Sequence, residues 1–389
     1  MTPDEIAARM DGRPVFDRHS GATLAFLPSP VVQNHAAFLD FLPDGRLACA
    51  WFGGRIEGAS DISIYGSIFD GGVWSAASQL TDDPARSEQN PVIFAQDGAL
   101  HLFNTAQPHG NQDECLLRQR PLLIDGGQMQ TGAARTVDVP LGSFIRGRIV
   151  LRDDGAWMMP LFRCISRPGR RWTGSHDTAA LAVSRDAGTS WSVTEVPDST
   201  GSVHMTIVPL DGSRMAAFYR RRQADFVCRS ESHDGGRTWS APVATDVPNN
   251  NSSINVIRLA DGRLAMVCNP MSAAGSPDRR KSLYDELDVA DDRPDADGGI
   301  NPVWGVPRAP MTLCLSTDGG KSFPLRRVIE VGSGTCLSNN SEDGRNKEMS
   351  YPYLVQDPSG DLHVAYTYHR RAIKHVRLPL DWVNRGGSE

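Results

Sequence analysis

Residues 206–220 read TIVPLDGSRMAAFYR, which is two short apolar segments joined by an Asp-Gly pair. Asp-Gly is favoured at the centre of tight hairpin turns because glycine adopts a positive φ without strain. The stretch therefore predicts a β-hairpin. The same arrangement recurs in LDFLPDGRLACAWF, VIFAQDGALHLFN, IVLRDDGAWMMPLF, VIRLADGRLAMVCN and YLVQDPSGDLHVAYTY, with turn glycines at Gly45, Gly98, Gly155, Gly262 and Gly360.

A second motif, S-x-D-x-G-x-x-[WF], falls between these hairpins. It occupies residues 184–191, 232–239 and 316–323, and a degenerate copy occupies residues 67–74. We expect its aspartate to bond backbone amides, its glycine to be left-handed and its aromatic residue to pack on the hairpin. No segment has a convincing helical period. Six units of roughly 50 residues predict an all-β protein with the architecture of a six-bladed β-propeller.

The repeat also predicts how the chain is divided. Length alone would allow two or three domains, but six consecutive units favour one propeller domain over residues 1–389. Residues 1–21 form an N-terminal extension, and residues 272–302 form an inserted loop rich in Asp, Gly and Pro. We expect a strand near residues 22–27 to pair with the last blade, because an unpaired edge strand would be unfavourable.

Composition excludes several classes of partner. The formal net charge is −6, so nothing indicates a basic surface for nucleic acid or for an anionic membrane, and we expect neither partner. The seven cysteines contain no CxxC pair and predict neither a zinc site nor a disulfide framework. We expect no metal and no cofactor. The absence of a targeting segment and of a long apolar stretch predicts a cytoplasmic protein.

Polar residues recur at fixed distances from the hairpin turns, where an inner propeller strand should be apolar. Eight to ten residues before the turn glycines lie His35, Asn90, Arg146, His204, Ser253 and Tyr351. Seven or eight residues after the glycines of the last four units lie Arg163, Arg220, Asn269 and Tyr368. Both sets should emerge at one mouth of the central channel, where radial folds bind small molecules. We predict a functional site there.

The S-x-D-x-G-x-x-[WF] turns resemble the Asp boxes of the sialidase (neuraminidase) superfamily, and the hairpin spacing resembles its six-bladed propeller. The resemblance covers about residues 31–378. It implies that Tyr351, in the phrase MSYP, is the nucleophile. It also implies that Arg220 and Arg308 are two of the three family arginines that bind a substrate carboxylate.

The family's acid/base aspartate lies in the loop after the first hairpin. In this chain that loop reads GGRIEGASD over residues 53–61. The resemblance therefore implies Glu57 or Asp61 as the acid/base, with Arg55 beside them as a candidate for substrate binding.

The chain departs from the family pattern at two positions. The phrase that carries the first family arginine is replaced by QNHA at residues 33–36, so His35 stands there and a bidentate carboxylate contact is lost. The glutamate that polarises the nucleophile should fall near position 204, where the chain has His204; a neutral histidine can still accept a proton. Glu348 is a possible substitute, but strand alternation places it on the opposite face from Tyr351.

Three hypotheses follow, and all of them involve an acidic mono- or oligosaccharide. The first is a sialidase-like exo-glycosidase in which arginines hold the sugar carboxylate, Tyr351 attacks, and Glu57 or Asp61 protonates the leaving oxygen. The second is a uronate lyase in which His35 or His204 abstracts the C5 proton and Tyr351 protonates the C4 oxygen. The third is a glycan-binding propeller without catalysis. The predicted catalytic residues are Tyr351, His35, His204, Glu57 and Asp61, and the predicted substrate-binding residues are Arg146, Arg163, Arg220, Arg308, Asn90 and Arg55.

Overall fold

The computed structural model describes residues 1–18, 20–108, 111–276, 293–338 and 346–384. Its N-terminal elements are α1 (Pro3–Arg9), β1 (Val15–Phe16) and β2 (Thr23–Phe26). The strands of the first three blades are β3 (Gln33–Phe41), β4 (Leu47–Gly54), β5 (Ser63–Phe69), β6 (Ser78–Gln79), β7 (Ser87–Gln96), β8 (Ala99–Gln107), β9 (Leu116–Asp125), β10 (Gln128–Thr131), β11 (Arg135–Thr136), β12 (Ser143–Ile145), β13 (Val150–Leu151), β14 (Trp157–Arg163), β15 (Thr178–Ser184) and β16 (Ser192–Glu195).

The remaining elements complete three more blades. They are β17 (Ser202–Pro209), β18 (Met215–Arg221), β19 (Phe226–Ser232), β20 (Val243–Pro248), β21 (Asn255–Arg258), β22 (Leu264–Cys268), β23 (Met311–Ser316), β24 (Leu325–Glu330), β25 (Met349–Gln356), β26 (Leu362–Tyr368), β27 (Ala372–Leu378) and α2 (Leu380–Asn384). Short 3₁₀ turns lie at Gln112–Glu114 and Ala273–Gly275.

In the described residues the strands form six antiparallel sheets, and each predicted hairpin supplies the two inner strands of one sheet. The innermost strands contact one another in the order β3, β7, β12, β17, β21 and β25, with β14 bridging the contact to β17, and β25 returns to β3. This arrangement confirms the six-bladed propeller.

The ring is closed by the N-terminal strand β2, which pairs with the last strand of the sixth blade. Thr23 lies opposite Arg377, and Phe26 lies opposite Lys374. The predicted pairing near residues 22–27 is therefore confirmed. Of the predicted inserted loop, residues 277–292 lie outside the described part of the chain. No helix in the described ranges is long and apolar enough to cross a membrane.

The S-x-D-x-G turns link the third and fourth strands of their blades and share one hydrogen-bond pattern. In the fourth blade the Gly236 amide donates to Ser232 Oγ over 2.8 Å, and the Thr238 amide donates to Asp234 Oδ1 over 2.9 Å. The corresponding turns at residues 184–191 and 316–323 repeat these bonds. Each turn thereby satisfies backbone groups that the strands leave unpaired.

The glycines of the 316–323 turn allow a direct test of its packing. Gly319 and Gly320 both have left-handed φ, of +74° and +82°. A Cβ on Gly320 would overlap the ring of buried Phe218, whereas a Cβ on Gly319 would come no closer than 3.9 Å to Leu210. We predict that Gly319→Ala lowers the free energy of unfolding by about 1 kcal/mol, which is the cost of the left-handed conformation. Gly320→Ala should cost about 1–3 kcal/mol more because it also overpacks the core. Equal losses in urea denaturation would contradict this account.

A buried hydrogen-bonded chain joins the first and last blades at the ring closure. Trp74 Nε1 donates to His375 Nδ1 over 3.3 Å, His375 Nε2 lies 2.9 Å from His363 Nδ1, and His363 Nε2 lies 3.2 Å from Asp357 Oδ2. Since an indole can only donate, His375 must carry its proton on Nε2 and His363 must carry its proton on Nε2. Both imidazoles are therefore neutral in the folded protein.

The hydrogen-bonded row of Trp74, His375, His363 and Asp357 predicts that the protein loses stability in mild acid. Burial lowers the pKa of His375 well below its ordinary value, and burial lowers the pKa of His363 although Asp357 opposes the shift. The unfolded histidines bind protons below about pH 6.5 and the folded ones do not, so the free energy of unfolding should fall as pH drops from 7 to 5. We expect His375→Phe to be less stable at pH 7 and to show a smaller fall. The exposed His233, replaced by Phe, is the control; an equal flattening in both variants would argue against the closure histidines.

Four inner strands carry a β-bulge at the same end, at the channel mouth. In each, two residues oppose one on the second strand, and the first of the two is left-handed: Ala36, Asn90, His204 and Tyr351 have φ values of 59°, 51°, 54° and 50°. A bulge bends its strand and redirects the side chains beside it. The polar residues predicted from the repeat offset therefore lie at or next to an irregularity of the strand.

Candidate active site

Tyr351 lies at the centre of the candidate site. It is 8% exposed, and its hydroxyl accepts a hydrogen bond from Arg220 Nη1 over 2.6 Å. The His35 and His204 ring centroids lie 4.3 and 5.5 Å from its ring centroid. The guanidinium carbons of Arg146, Arg220 and Arg308 lie 5.5, 5.7 and 5.5 Å from the same centroid. Residues from distant parts of the chain thus meet around one phenol.

The surrounding cations change the acidity of this phenol. Burial alone would raise the pKa of Tyr351, but the Arg220 and Arg308 guanidiniums outweigh burial and hold that pKa below its ordinary value. A phenol with a lowered pKa gives up its proton more readily near neutral pH. The arrangement favours a reactive oxygen on Tyr351.

The two histidines beside Tyr351 are uncharged. Burial, followed by the Arg220 charge, holds the pKa of His204 well below its ordinary value. Burial and the Arg370 charge do the same for the pKa of His35, although Glu348 opposes the shift. His35 Nδ1 lies 2.8 Å from Thr367 Oγ1, whereas His35 Nε2 and His204 Nδ1 are buried without a hydrogen-bond partner. Neutral imidazoles can accept protons.

A buried network of carboxylates and guanidiniums supports the site on one side. Glu348 accepts hydrogen bonds from Arg308 Nη1 and Arg370 Nε, both over 2.9 Å, and Arg370 Nη1 also contacts Glu57. Burial would raise the pKa of Glu348, but Arg370 and Arg308 hold it well below its ordinary value. Glu348 is therefore a buried anion shared by two arginines.

A second buried ion pair lies next to Arg220. Arg222 donates to Asp177 Oδ2 from Nε and Nη2, over 2.9 and 2.6 Å. Its guanidinium carbon lies 5.5 Å from the Trp172 ring centroid and 5.1 Å from that of Trp304. The aromatic faces stabilise the cation and shield it from water.

The described residues around the site contain more cations than anions. The guanidiniums are those of Arg146, Arg220, Arg222, Arg308 and Arg370, and the carboxylates are those of Glu57, Glu348 and Asp177. Arg146 and Arg220 make no ion pair among these side chains. Since uncompensated buried charge is unfavourable, the excess favours binding of an anion.

Other predicted residues lie in contacts of their own. Asp61 accepts from the amide and the Nε of Arg55, over 3.0 and 2.9 Å, and the Arg55 side chain is 81% exposed. Arg163 pairs with Glu195 over 3.1 Å. The side-chain nitrogen Nδ2 of Asn90 lies 3.4 Å from Thr105 Oγ1. These contacts tie the residues to their own blades and not to Tyr351.

A cavity of about 1110 Å³ opens at the other end of the channel. Its walls are the hairpin ends of the inner strands, and they include Phe41, Leu210, Ile257 and Gln356. None of the predicted site residues lines it. We therefore place the chemistry at the Tyr351 end, where the reactive side chains converge. No group of three or more His, Cys, Asp or Glu residues in the described ranges is arranged to hold a metal ion.

Comparison with known proteins decides the family. The model of the BNR repeat-like domain matches residues 45–364, which is most of the chain. The chain belongs to the BNR repeat-like domain family. No protein of curated function matches this BNR propeller.

Solved structures with the same fold include several sialidases. The BNR propeller superposes on the Hadza microbial sialidase Hz136 with a TM-score of 0.66 at 12% identity, covering 90% of this chain and 66% of that one. It superposes on the Trypanosoma rangeli sialidase with a TM-score of 0.61 at 11% identity, covering 97% and 59%. A protein of unknown function from Dyadobacter fermentans matches at TM-score 0.62 and 14% identity, covering 91% and 98%. The chain thus spans about two thirds or less of the length of the two sialidases.

Two residues of the BNR propeller's site were not predicted from the sequence. Counting eight residues past the turn glycine of the last hairpin selects Tyr368. Arg370 lies two positions further along the chain. Glu348 was considered as a substitute base and set aside, because a regular strand places it on the opposite face from Tyr351. It reaches the site through Arg308, which donates to it and whose guanidinium carbon lies 5.5 Å from the Tyr351 ring centroid. A search two residues beyond each hairpin strand would have found Arg370.

The Glu348 network predicts a large effect of neutralising one carboxylate. We expect Glu348→Gln to lower the free energy of unfolding by about 3–5 kcal/mol, because Arg308 and Arg370 would lose their shared buried anion. Glu195→Gln is the control: Glu195 pairs with Arg163 but is 48% exposed, so its loss should cost less than about 1 kcal/mol. Urea denaturation measures both, and similar losses would contradict the buried-network description.

Proposed function

We propose that this BNR propeller cleaves the glycosidic bond of a terminal sugar that carries a carboxylate, with Tyr351 as the nucleophile. The observation that carries the proposal is the 2.6 Å contact between Arg220 Nη1 and the Tyr351 hydroxyl, in a site with an excess of buried arginines. That contact favours the phenolate, which is the attacking form of tyrosine.

The cationic side of the site supports a carboxylate-bearing substrate. Arg220 and Arg308 flank Tyr351, and Asn251 Oδ1 fixes Arg220 by accepting from its Nε over 2.7 Å. Guanidiniums bind carboxylates through charge-assisted hydrogen bonds, often in pairs. In the proposed complex the sugar carboxylate contacts these two arginines and the anomeric carbon lies over the Tyr351 hydroxyl.

Glu57 is the better-supported acid/base. Its carboxylate contacts Arg370, and its charge acts on Tyr351, whereas Asp61 is bonded to Arg55. At the start of the cycle His204 accepts the phenol proton, and Glu57 is in its protonated form. In the first step the Tyr351 oxygen bonds to the anomeric carbon, the glycosidic bond breaks, and Glu57 gives its proton to the leaving oxygen. In the second step Glu57 takes a proton from water, the water oxygen bonds to the anomeric carbon, the bond to Tyr351 breaks, and His204 returns its proton to Tyr351.

One specific observation favours β-elimination as a second candidate. Burial lowers the pKa of His35 and of His204, and His35 Nε2 is buried without a hydrogen-bond partner, whereas His204 Nε2 lies 3.4 Å from Arg220 Nη1, which can only donate. With a uronate bound, arginine would neutralise the carboxylate and a histidine would remove the C5 proton. Tyr351 would then give a proton to the departing C4 oxygen, leaving a C4–C5 double bond.

The two chemistries give different products and can be told apart directly. A panel of sialosides and uronate-containing disaccharides is incubated with the protein and followed by mass spectrometry and by ultraviolet absorbance. Hydrolysis adds water across the bond, whereas elimination gives an unsaturated uronate that absorbs in the ultraviolet. The Trypanosoma rangeli sialidase has been solved with 2,3-difluorosialic acid as a covalent intermediate. A matching fluorinated sugar that adds its mass to Tyr351 would support the nucleophile.

We predict that Tyr351→Phe lowers kcat/KM by at least about a hundredfold, since it removes the reacting oxygen. Tyr368→Phe is the matched control: it removes another buried tyrosine hydroxyl of the same blade, one that lies 3.4 Å from the Ser333 carbonyl. Its kcat/KM should stay within about twofold. Full activity of the Tyr351 variant would exclude both chemistries. Binding of an acidic sugar with no product of either kind would favour a glycan-binding propeller.

A further inference from the structure

Arg146 is a buried cation that pairs with no carboxylate in the described part of the chain. It follows β12 in the third blade and is 3% exposed. Its Nη2 donates to the main-chain oxygens of Ala37 and Tyr351, over 2.8 and 3.1 Å, and its Nε lies 3.3 Å from Ser253 Oγ. Backbone carbonyls satisfy its hydrogen bonds but do not neutralise its charge.

The guanidinium lies over two tyrosine rings of the inner strand β25. Its carbon is 5.5 Å from the Tyr351 ring centroid and 5.5 Å from that of Tyr353. On the far side of Tyr353, Arg148 lies 5.9 Å from the same ring and pairs with Asp40 over 2.9 Å. Arg146 thus contacts the main chain and the ring of Tyr351, whereas Arg220 contacts its hydroxyl.

We propose that Arg146 is a positioning residue whose permanent charge, at the floor of the site, keeps Tyr351 ready to lose its proton and keeps His35 and His204 uncharged without touching the substrate. The proposal rests on the proposed function in one respect, namely that Tyr351 is the reacting group.

Electrostatics supports this role. Behind burial and nearer arginines, the Arg146 charge is among the causes that lower the pKa of His204 and of His35. Burial lowers the pKa of Arg146 itself to about 10, so it remains a cation at neutral pH. A unit charge at 4–6 Å shifts a neighbouring pKa by about one to three units.

Other arginines lower the pKa of the same two histidines more than Arg146 does, but most of them are paired with carboxylates. Arg308 and Arg370 share Glu348 and Glu57, and Arg222 pairs with Asp177, so their charges are largely compensated. Arg220 is uncompensated, but it contacts the Tyr351 hydroxyl and is assigned to the substrate carboxylate. Tyr353 and Cys49, the remaining titratable groups that face Arg146, are buried in the channel wall.

Arg146→Gln and Arg146→Lys separate charge from hydrogen bonding. Glutamine keeps a donor for the carbonyls but no charge, and lysine keeps the charge but loses the paired donors. Arg148→Gln is the matched control, because that arginine lies one ring further along the channel and is neutralised by Asp40. The histidine titrations are followed by NMR of the imidazole groups without substrate, and the pH profile of kcat/KM is measured on the sugar that the panel identifies.

For Arg146→Gln we expect the His35 and His204 titrations, and the acidic limb of the kcat/KM profile, to move up by about one pH unit or more. At a fixed pH on the acid side, that is about a tenfold loss of rate. Arg146→Lys should lower the melting temperature but leave the histidine titrations and the acidic limb of the kcat/KM profile unchanged. Arg148→Gln should also leave the titrations and the acidic limb unchanged. If lysine and glutamine move the limb equally, or if neither moves it, the proposal is wrong.

The experiment distinguishes a failure of this proposal from a failure of the proposed function. Should the glutamine variant fail to fold, Arg146→Met removes the charge in its place: an upward shift of the imidazole titrations that Arg146→Lys does not show supports the role of the charge, and equal titrations in the two variants overturn it. Should the wild-type protein turn over none of the acidic sugars, the proposed function fails, whereas the NMR titrations still test what Arg146 does to the two histidines.

Discussion

The β-bulge at the mouth of the channel is the constraint on which the site depends. Ala36, Asn90, His204 and Tyr351 hold a left-handed conformation at the same register of their inner strands. Each non-glycine residue in that conformation costs about 1–2 kcal/mol. The packing of neighbouring blades offsets this cost, and strained backbone of this kind concentrates at functional sites.

The balance of buried charge follows from this geometry. Inner strands that converge on an axis bring three arginines from different blades to within 5.5–5.7 Å of the Tyr351 ring centroid, and like charges brought close together in a buried site repel one another. The carboxylates of Glu348 and Asp177 compensate part of this positive charge, and each accepts hydrogen bonds from buried guanidiniums. Burial raises the pKa of Tyr351 but Arg220 and Arg308 outweigh it, and burial, followed by arginine charges, lowers the pKa of both histidines. One set of cations therefore prepares the site for an anion and sets the protonation of its reactive groups.

The fold could be predicted from the sequence because it repeats. Each Asp-Gly or Ser-Gly turn marks one hairpin, and the structure places the two inner strands of a blade on either side of it. The offset that selected Tyr351, His204 and Arg220 worked because the bulges keep nearly the same register from blade to blade. It failed to find Arg370, which lies beyond the end of β26. Glu348 was set aside because a regular strand places it on the opposite face from Tyr351, and its ion pairs with Arg308 and Arg370 join residues that are far apart in the sequence.

Loop residues were harder to predict for a different reason. The loop after the first hairpin contains two acidic residues, Glu57 and Asp61, and nothing in the local sequence distinguishes them as the acid/base. The structure separates them by their partners: Glu57 contacts Arg370, and Asp61 bonds to the exposed Arg55. Such a choice depends on which distant residue lies opposite the loop, and pairing across the ring is not encoded in local spacing.

A tyrosine hydroxyl that contacts a guanidinium has a lower pKa than one that contacts a carboxylate, so it loses its proton more readily. A carboxylate base accepts the proton but raises the phenol pKa by its own negative charge, whereas Arg220 lowers that pKa and leaves proton acceptance to a neutral imidazole. The resulting phenolate can attack an anomeric carbon, and in its protonated form the same group can protonate a leaving oxygen. What separates the two chemistries is which substrate atom faces Tyr351 once the carboxylate is bound. In the proposed complex Arg220 and Arg308 bind the carboxylate, so the distance from that carboxylate to the scissile bond in the substrate would select the reaction.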